Sequence, residues 1–72
     1  PVNLSALQTL ADGGVTTINI ETLITAGLAK KGQLVKILGN GELTAKVDVV
    51  ADAYSKSAEA AITAAGGTAT KV

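Results

Sequence analysis

The chain contains no cysteine, histidine, arginine, methionine, phenylalanine or tryptophan, and only one proline and one tyrosine. Without cysteine there is no disulfide and no thiolate nucleophile. A cysteine-free composition also fits a reducing cytosol. Without histidine there is no Ser-His-Asp triad, and the usual base that titrates near neutrality is missing. Lacking both residues, the chain has no ordinary set of ligands for a structural zinc. Paired carboxylates are the remaining catalytic route. Asp48 and Asp52 are expected on one face of a strand, where four residues at about 3.3 Å each separate them by about 13 Å. A glycosidase pair needs roughly 5 to 9.5 Å, so both read as solvated charges. No apolar stretch approaches the 18 or so residues of a membrane span, and no secretory signal pattern is present. The expectation is a chain that is not an enzyme, with no metal, no cofactor, no small-molecule substrate and no membrane partner.

Charge of one sign is also missing. Six Lys oppose six acidic residues, for a net charge of zero, where a free-standing nucleic-acid binder would show a basic excess. Charge must therefore be read by position. Because every cation is Lys, none can read a guanine edge bidentately as Arg does. Any nucleic-acid contact should fall on phosphate.

The 72 residues form one small domain. A chain of this size buries only about 60% of its unfolded surface, here around a thin core of Val, Ile, Leu and Ala. It opens mid-strand at Pro1, as a piece of a longer protein would.

Local patterning predicts three short helices between strands. Val2-Asn3-Leu4 is extended. Ser5 starts a helix, with Ser5 and Gln8 at capping-box spacing, and Asp12-Gly13-Gly14 closes it. Val15 to Ile18, β-branched throughout, reads as a strand. Asn19 caps a helix from Ile20 to Ala26. Gly27 stands at the left-handed position beyond it, and Leu28 is placed to pack on Leu23 as in a Schellman motif. Lys30-Lys31-Gly32-Gln33 is a loop, Leu34 to Leu38 a strand, Gly39-Asn40-Gly41 a turn, and Glu42-Leu43 a short continuation. Val47, Val49, Ala51 and Ala53 alternate with Asp48, Val50 and Asp52, the period of one half-buried strand. Ser55 caps the longest helix, Lys56 to Ala65, with Ala58, Ala61, Ile62 and Ala65 as its apolar stripe. Gly66-Gly67 ends it, and Thr68 to Val72 is a last strand. Interleaved helices and strands indicate a small mixed α/β domain. No internal repeat is visible in the sequence.

Gly39-Asn40-Gly41 lacks the spacing of a phosphate-binding loop and reads first as a tight turn. Its exposed backbone N–H groups remain suited to an RNA phosphate.

Several segments in order carry a family resemblance. Lys36-Ile37-Leu38-Gly39-Asn40-Gly41-Glu42-Leu43, the aliphatic Val47 and Val49, Tyr54-Ser55-Lys56-Ser57-Ala58, Ile62, and Ala64-Ala65-Gly66-Gly67 resemble the C-terminal globular part of the bacterial L-fifteen family of large-subunit ribosomal proteins. Val2-Asn3-Leu4, and Thr22-Leu23 with Gly27-Leu28, fit as well. The resemblance implies an irregular superhelix of β-β-α layers spanning residues 1–72. It implies a structural component of the large ribosomal subunit that binds 23S ribosomal RNA, supports subunit assembly, meets neighbouring ribosomal proteins and resides on cytoplasmic ribosomes. The family's basic, Gly-rich N-terminal extension has no counterpart in these residues. Tyr54 stands where the family usually has Phe. Asp52 takes a place that is often basic, which puts RNA contact through that strand face in question.

The RNA-contact candidates are Lys30, Lys31, Lys36, Asn40, Lys46, Ser55, Lys56 and Ser57. For each Lys the plain alternative is a solvated surface residue. Ser55-Lys56-Ser57 is the strongest, because a helix N-terminus offers free N–H groups beside two hydroxyls and a cation. Its plain alternative is N-capping, worth about 1 kcal/mol. The rival function is a protein-interaction module whose RNA binding resides in the absent basic extension.

Overall fold

The computed structural model describes residues 1–72. Its elements are β1 (Val2–Asn3), α1 (Leu4–Asp12), β2 (Thr17–Ile18), α2 (Ile20–Thr25), β3 (Lys36–Leu38), β4 (Asp48–Ala51), β5 (Ala53–Tyr54), α3 (Lys56–Ala64) and β6 (Thr68–Lys71). The strands form two three-stranded sheets, ordered β1-β3-β5 and β2-β4-β6, and every pairing is parallel. Successive strands therefore alternate between the sheets. A chain that returns to each sheet on every second strand winds as a superhelix, the layered α/β architecture expected.

The registers explain the core. Val2 lies beside Ile37 and Ile37 beside Tyr54, while Ile18 lies beside Val49 and Val49 beside Ala69. These aliphatic ladders meet Leu4, Leu7, Leu23, Val35, Val47, Ala51, Ala58 and Ile62 in one buried cluster drawn from both sheets. Each large aliphatic side chain buried there is worth about 1.5–3 kcal/mol. α3 packs against strands of both sheets, β3 and β6. Its small Ala58 is fully buried, so the helix approaches closely. Tyr54 adds a polar clasp: its hydroxyl, from β5, lies 2.6 Å from the Thr70 carbonyl and 2.9 Å from that of Val49, both in the other sheet.

Helix ends follow backbone chemistry. Asn19 Oδ1 accepts the Thr22 N–H at 2.8 Å. The Leu28 N–H reaches the Leu23 carbonyl at 2.9 Å and that of Gly27 reaches Ile24 at 3.0 Å, with Gly27 at φ 77°. This is the Schellman closure the sequence indicated. α3 ends the same way, Gly67 to Ile62 and Gly66 to Thr63. α1 does likewise, Val15 to Leu10 and Gly14 to Ala11.

Five local expectations are corrected. The Ser5–Gln8 capping box does not form: α1 begins at Leu4 after Asn3, with no side-chain cap. Gln8 instead stretches across the fold, its Oε1 accepting the N–H groups of Thr44 at 2.9 Å and Ala45 at 3.2 Å. That commitment holds this segment to α1, and Glu42-Leu43 forms no strand. Val15 is not in β2, because its N–H closes α1. Leu34 lies outside β3 and is 87% exposed. Finally, the strand read from Val47 to Ala53 breaks at Asp52. Asp52 Oδ2 accepts the Val35 N–H at 2.7 Å, and the N–H groups of Asp52 and Ala53 both donate to the Val35 carbonyl. The chain turns this corner from one sheet to the other. Asp52 is therefore half-buried and engaged, not one of two solvated charges on a single strand face.

Candidate functional site

All strands of the β1-β3-β5 sheet run one way, so their carboxyl ends share an edge. At that edge β1 runs into the N-terminus of α1, β3 into Gly39-Asn40-Gly41, and β5 into the N-terminus of α3. The carboxyl edge of a parallel sheet is where ligands of open α/β folds bind.

The glycine turn is wedged between the two helix starts. A Cβ on Gly39 would fall 2.0 Å from Ser57 Oγ and 3.2 Å from the Ala58 nitrogen. One on Gly41 would fall 2.8 Å from the Ser5 Cβ. Both glycines are thus required by close approach of the chain to itself. Asn40 sits between them. Its carbonyl accepts the Ser5 N–H at 3.2 Å, and its Nδ2 donates to Asn3 Oδ1 at 3.2 Å. The turn supplies the cap that α1 lacks.

At α3, the Ser55 N–H donates to the Ile37 carbonyl at 2.9 Å, which fixes the helix start to β3. Ser55 Oγ accepts the Ala58 N–H at 3.2 Å and lies 3.3 Å from Ser57 Oγ. The capping role read from the sequence is therefore real. The first turn of a helix has more N–H groups than one cap can satisfy, and those of Lys56 and Ser57 remain for an outside acceptor. The Lys56 side chain is exposed beside them. Glu59, in the same turn, opposes part of its charge.

The structure thus joins Asn40, Ser55, Lys56 and Ser57 at one edge and leaves the other candidates elsewhere. Lys30 and Lys31 follow α2; Lys30 borders a small depression lined by Pro1, Leu28 and Leu34, and Lys31 faces one lined by Glu21, Ile24 and Thr25. Lys46 lies at the opposite end of α3, its Cγ 4.0 Å from the Cβ position of Gly66. Lys36 begins β3, away from the strand's carboxyl end. Asn3 was missed: an Asn directly before an apolar helical run signals an N-cap, and its side chain accepts the Asn40 N–H instead.

The described side chains hold no group of three or more His, Cys, Asp or Glu that could bind a metal ion. No helix is long and apolar enough to cross a membrane.

Residues 1–70 match a family model that describes the ribosomal proteins 50S-L15 and 50S-L18e together with the 60S protein L-twenty-seven-A. The chain is similar to large ribosomal subunit protein uL15 of Bacteroides thetaiotaomicron, 54% identical over 72 residues, covering 99% of this chain and 49% of that protein. It is similar to the uL15 of Porphyromonas gingivalis, 51% identical over 73 residues, covering 100% and 49%. For the uL15 of Cutibacterium acnes the identity is 47% over 70 residues, covering 97% and 47%. The chain spans about half the length of the curated relatives it matches.

Proposed function

Because the chain belongs to the family that unites the ribosomal proteins 50S-L15 and 50S-L18e with their 60S relative, we propose that it serves as a structural component of the large ribosomal subunit and binds 23S ribosomal RNA at the carboxyl edge of the β1-β3-β5 sheet. It does so on cytoplasmic ribosomes and without catalysis. The observation that supports this site is the convergence of two helix N-termini and a glycine turn there. Backbone N–H groups and the Lys56 ammonium meet phosphate, with the Ser55 and Ser57 hydroxyls beside them. Lys30, Lys31, Lys36 and Lys46 contact RNA singly, each with less effect than Lys56.

With net charge zero, this chain binds RNA weakly. A basic extension in the full-length protein supplies most of the affinity. Each phosphate contact contributes a log–log salt slope of about −0.9 on duplex and −0.7 on single strands. Two to four engaged Lys give a slope shallower than about −4. The test is a salt titration of the 72-residue chain and the full-length protein against large-subunit RNA. The chain should lose binding between about 50 and 200 mM salt, and Lys56→Glu should weaken it further. Equal affinity of the chain and the full-length protein would defeat the role given to the extension. Unchanged binding by Lys56→Glu would return Ser55-Lys56-Ser57 to helix capping alone.

A second reading, contact with neighbouring ribosomal proteins, is favoured by the exposed apolar side chains Val15, Leu28 and Leu34. Leu10 joins Val15 and Leu28 through shallow depressions between α1 and the α2 region, and Leu28 joins Leu34 through one beside Pro1 and Val2. Such a surface suits protein better than phosphate.

A further inference from the structure

The carboxyl edge of the β1-β3-β5 sheet also holds a side-chain amide pair that phosphate binding does not use. We infer that Asn40 is a specificity-determining residue that recognises the ribose 2′-hydroxyl, and that Asn3 is the positioning residue that orients it; the inference rests on the RNA-binding reading of this edge.

The Asn40 carboxamide is only partly committed within the fold. Such a group carries two N–H donors and one acceptor oxygen. One N–H is committed to Asn3 Oδ1 at 3.2 Å, and the backbone carbonyl of Asn40 is committed to the Ser5 N–H. Both ends of the residue are thus tied to the start of α1. The close fits of Gly39 on Ser57 and of Gly41 on Ser5 fix the turn on either side. An exposed Asn in an ordinary loop would sample many rotamers. This one is held, with one N–H and the Oδ1 still unspent.

That remaining pair is one donor beside one acceptor. A phosphate oxygen accepts only, so it would use the N–H and meet the Oδ1 unfavourably. A 2′-hydroxyl donates and accepts, and it satisfies both. It is also the group that distinguishes RNA from DNA at a given site. The adjoining α3 start supplies what the amide does not, N–H groups and the Lys56 cation for the neighbouring phosphate. A ribose on Asn40 and its phosphate at Ser55-Lys56-Ser57 would divide one nucleotide between two kinds of recognition.

The division gives a test in which the RNA-to-DNA affinity ratio reports on Asn40 while absolute affinity reports on Lys56. The probes are a single-stranded RNA segment of the large-subunit RNA that the chain protects from nuclease, and DNA of the same sequence, titrated by fluorescence anisotropy at about 50 mM salt. Asn40→Ala should lower RNA affinity roughly fivefold, the worth of about one net hydrogen bond, and leave DNA affinity unchanged. Asn3→Ala should reduce the ratio in the same direction by a smaller factor. Asn3→Asp keeps an acceptor for the Asn40 N–H, so it should retain the parental ratio even though its added charge weakens both nucleic acids. Lys56→Ala should weaken both equally. Amide NMR spectra of each variant separate these effects from misfolding, and Asn40→Asp, which keeps the side-chain shape but loses both N–H donors, carries the test through the same lowered ratio if Asn40→Ala unfolds. A parental ratio in a folded Asn40→Ala variant overturns the inference while leaving the RNA-binding reading intact. A parental ratio in Asn3→Ala removes Asn3 from it. Absence of any RNA binding by the parent chain overturns both readings.

Discussion

The two sheets share a build, three parallel strands each, yet their carboxyl edges differ. At the β1-β3-β5 edge, the polar groups are Asn3, Ser5, Asn40, Ser55 and Ser57, and Lys56 stands beside free helix N–H groups. At the β2-β4-β6 edge, the polar side chains that follow β2 and β4 are committed, and Lys71 at the end of β6 is the exposed cation. Asn19 caps α2 with its own side chain, and the Asp52 carboxylate holds the Val35 N–H. One edge gathers two helix starts and a glycine turn around Lys56, while the other spends an anion on its own backbone. Equivalent positions in a layered fold thus take on different work through a few side chains.

The largest effect should come from attacking the structural seam. A Cβ at Gly67 would fall 2.0 Å from the Val47 carbonyl oxygen, a backbone atom that cannot swing aside. Gly67→Ala should cost about 3 kcal/mol, the upper part of the overpacking range. In a domain this small, that is read as a large drop in the midpoint of urea unfolding. A melt matching the parent would mean that β6 does not sit against β4 as described.

Asp52→Ala comes next. It leaves the half-buried Val35 N–H without its charged acceptor and should cost about 2 kcal/mol. RNA affinity should not fall, and loss of a carboxylate should raise it slightly. A drop in RNA affinity comparable to that of Lys56→Glu would erase the contrast between the edges. Gly39→Ala probes the other edge and should cost about 1.5 kcal/mol by chemical denaturation, because part of the clash is with a Ser57 hydroxyl that can rotate. RNA affinity should fall with it.

Tyr54→Phe should have the smallest effect, about 1 kcal/mol for the lost inter-sheet hydrogen bond. Burial pushes the Tyr54 phenol above its ordinary value of 10.0. A folded-state value above the unfolded one contributes stability that is complete below the unfolded pKa and is lost as pH rises through the folded one. The parent should therefore weaken above about pH 10. The Phe variant should be flatter there, as denaturation midpoints against pH would show.

Helices and caps were legible in the sequence because their signals are local: Asn19 and Ser55 before apolar runs, and Gly27 and Gly66 after them. The family was legible from motif order. What escaped were bonds between residues distant in the chain. Gln8 has capping-box spacing to Ser5 but bonds Thr44 and Ala45, 36 and 37 positions away. Asp52 continues a period-2 pattern yet breaks the strand, because its partner is Val35. Periodicity reports which face is buried, as Val47, Val49 and Ala51 confirm, and it does not report where a strand changes sheets. The candidate site was half legible. Ser55, Lys56, Ser57 and Asn40 do share an edge. Lys30, Lys31, Lys36 and Lys46 were grouped by charge alone and lie apart from it.

The alternating path of the strands also sets an order of assembly. Val2 and Ile37 pair across 35 positions, whereas Ile37 and Tyr54 pair across 17. The first contact must close the longer loop and meets the larger entropic cost. Once β3 and β4 are laid down, β5 and β6 add to a surface already made. A nascent chain leaving its exit channel would pair no strand until Ile37 emerged, and then would grow one layer at a time. β5 and β6 lie at sheet edges and can open while β3 and β4 remain paired to β1 and β2, so their amides should exchange before those of β3 and β4.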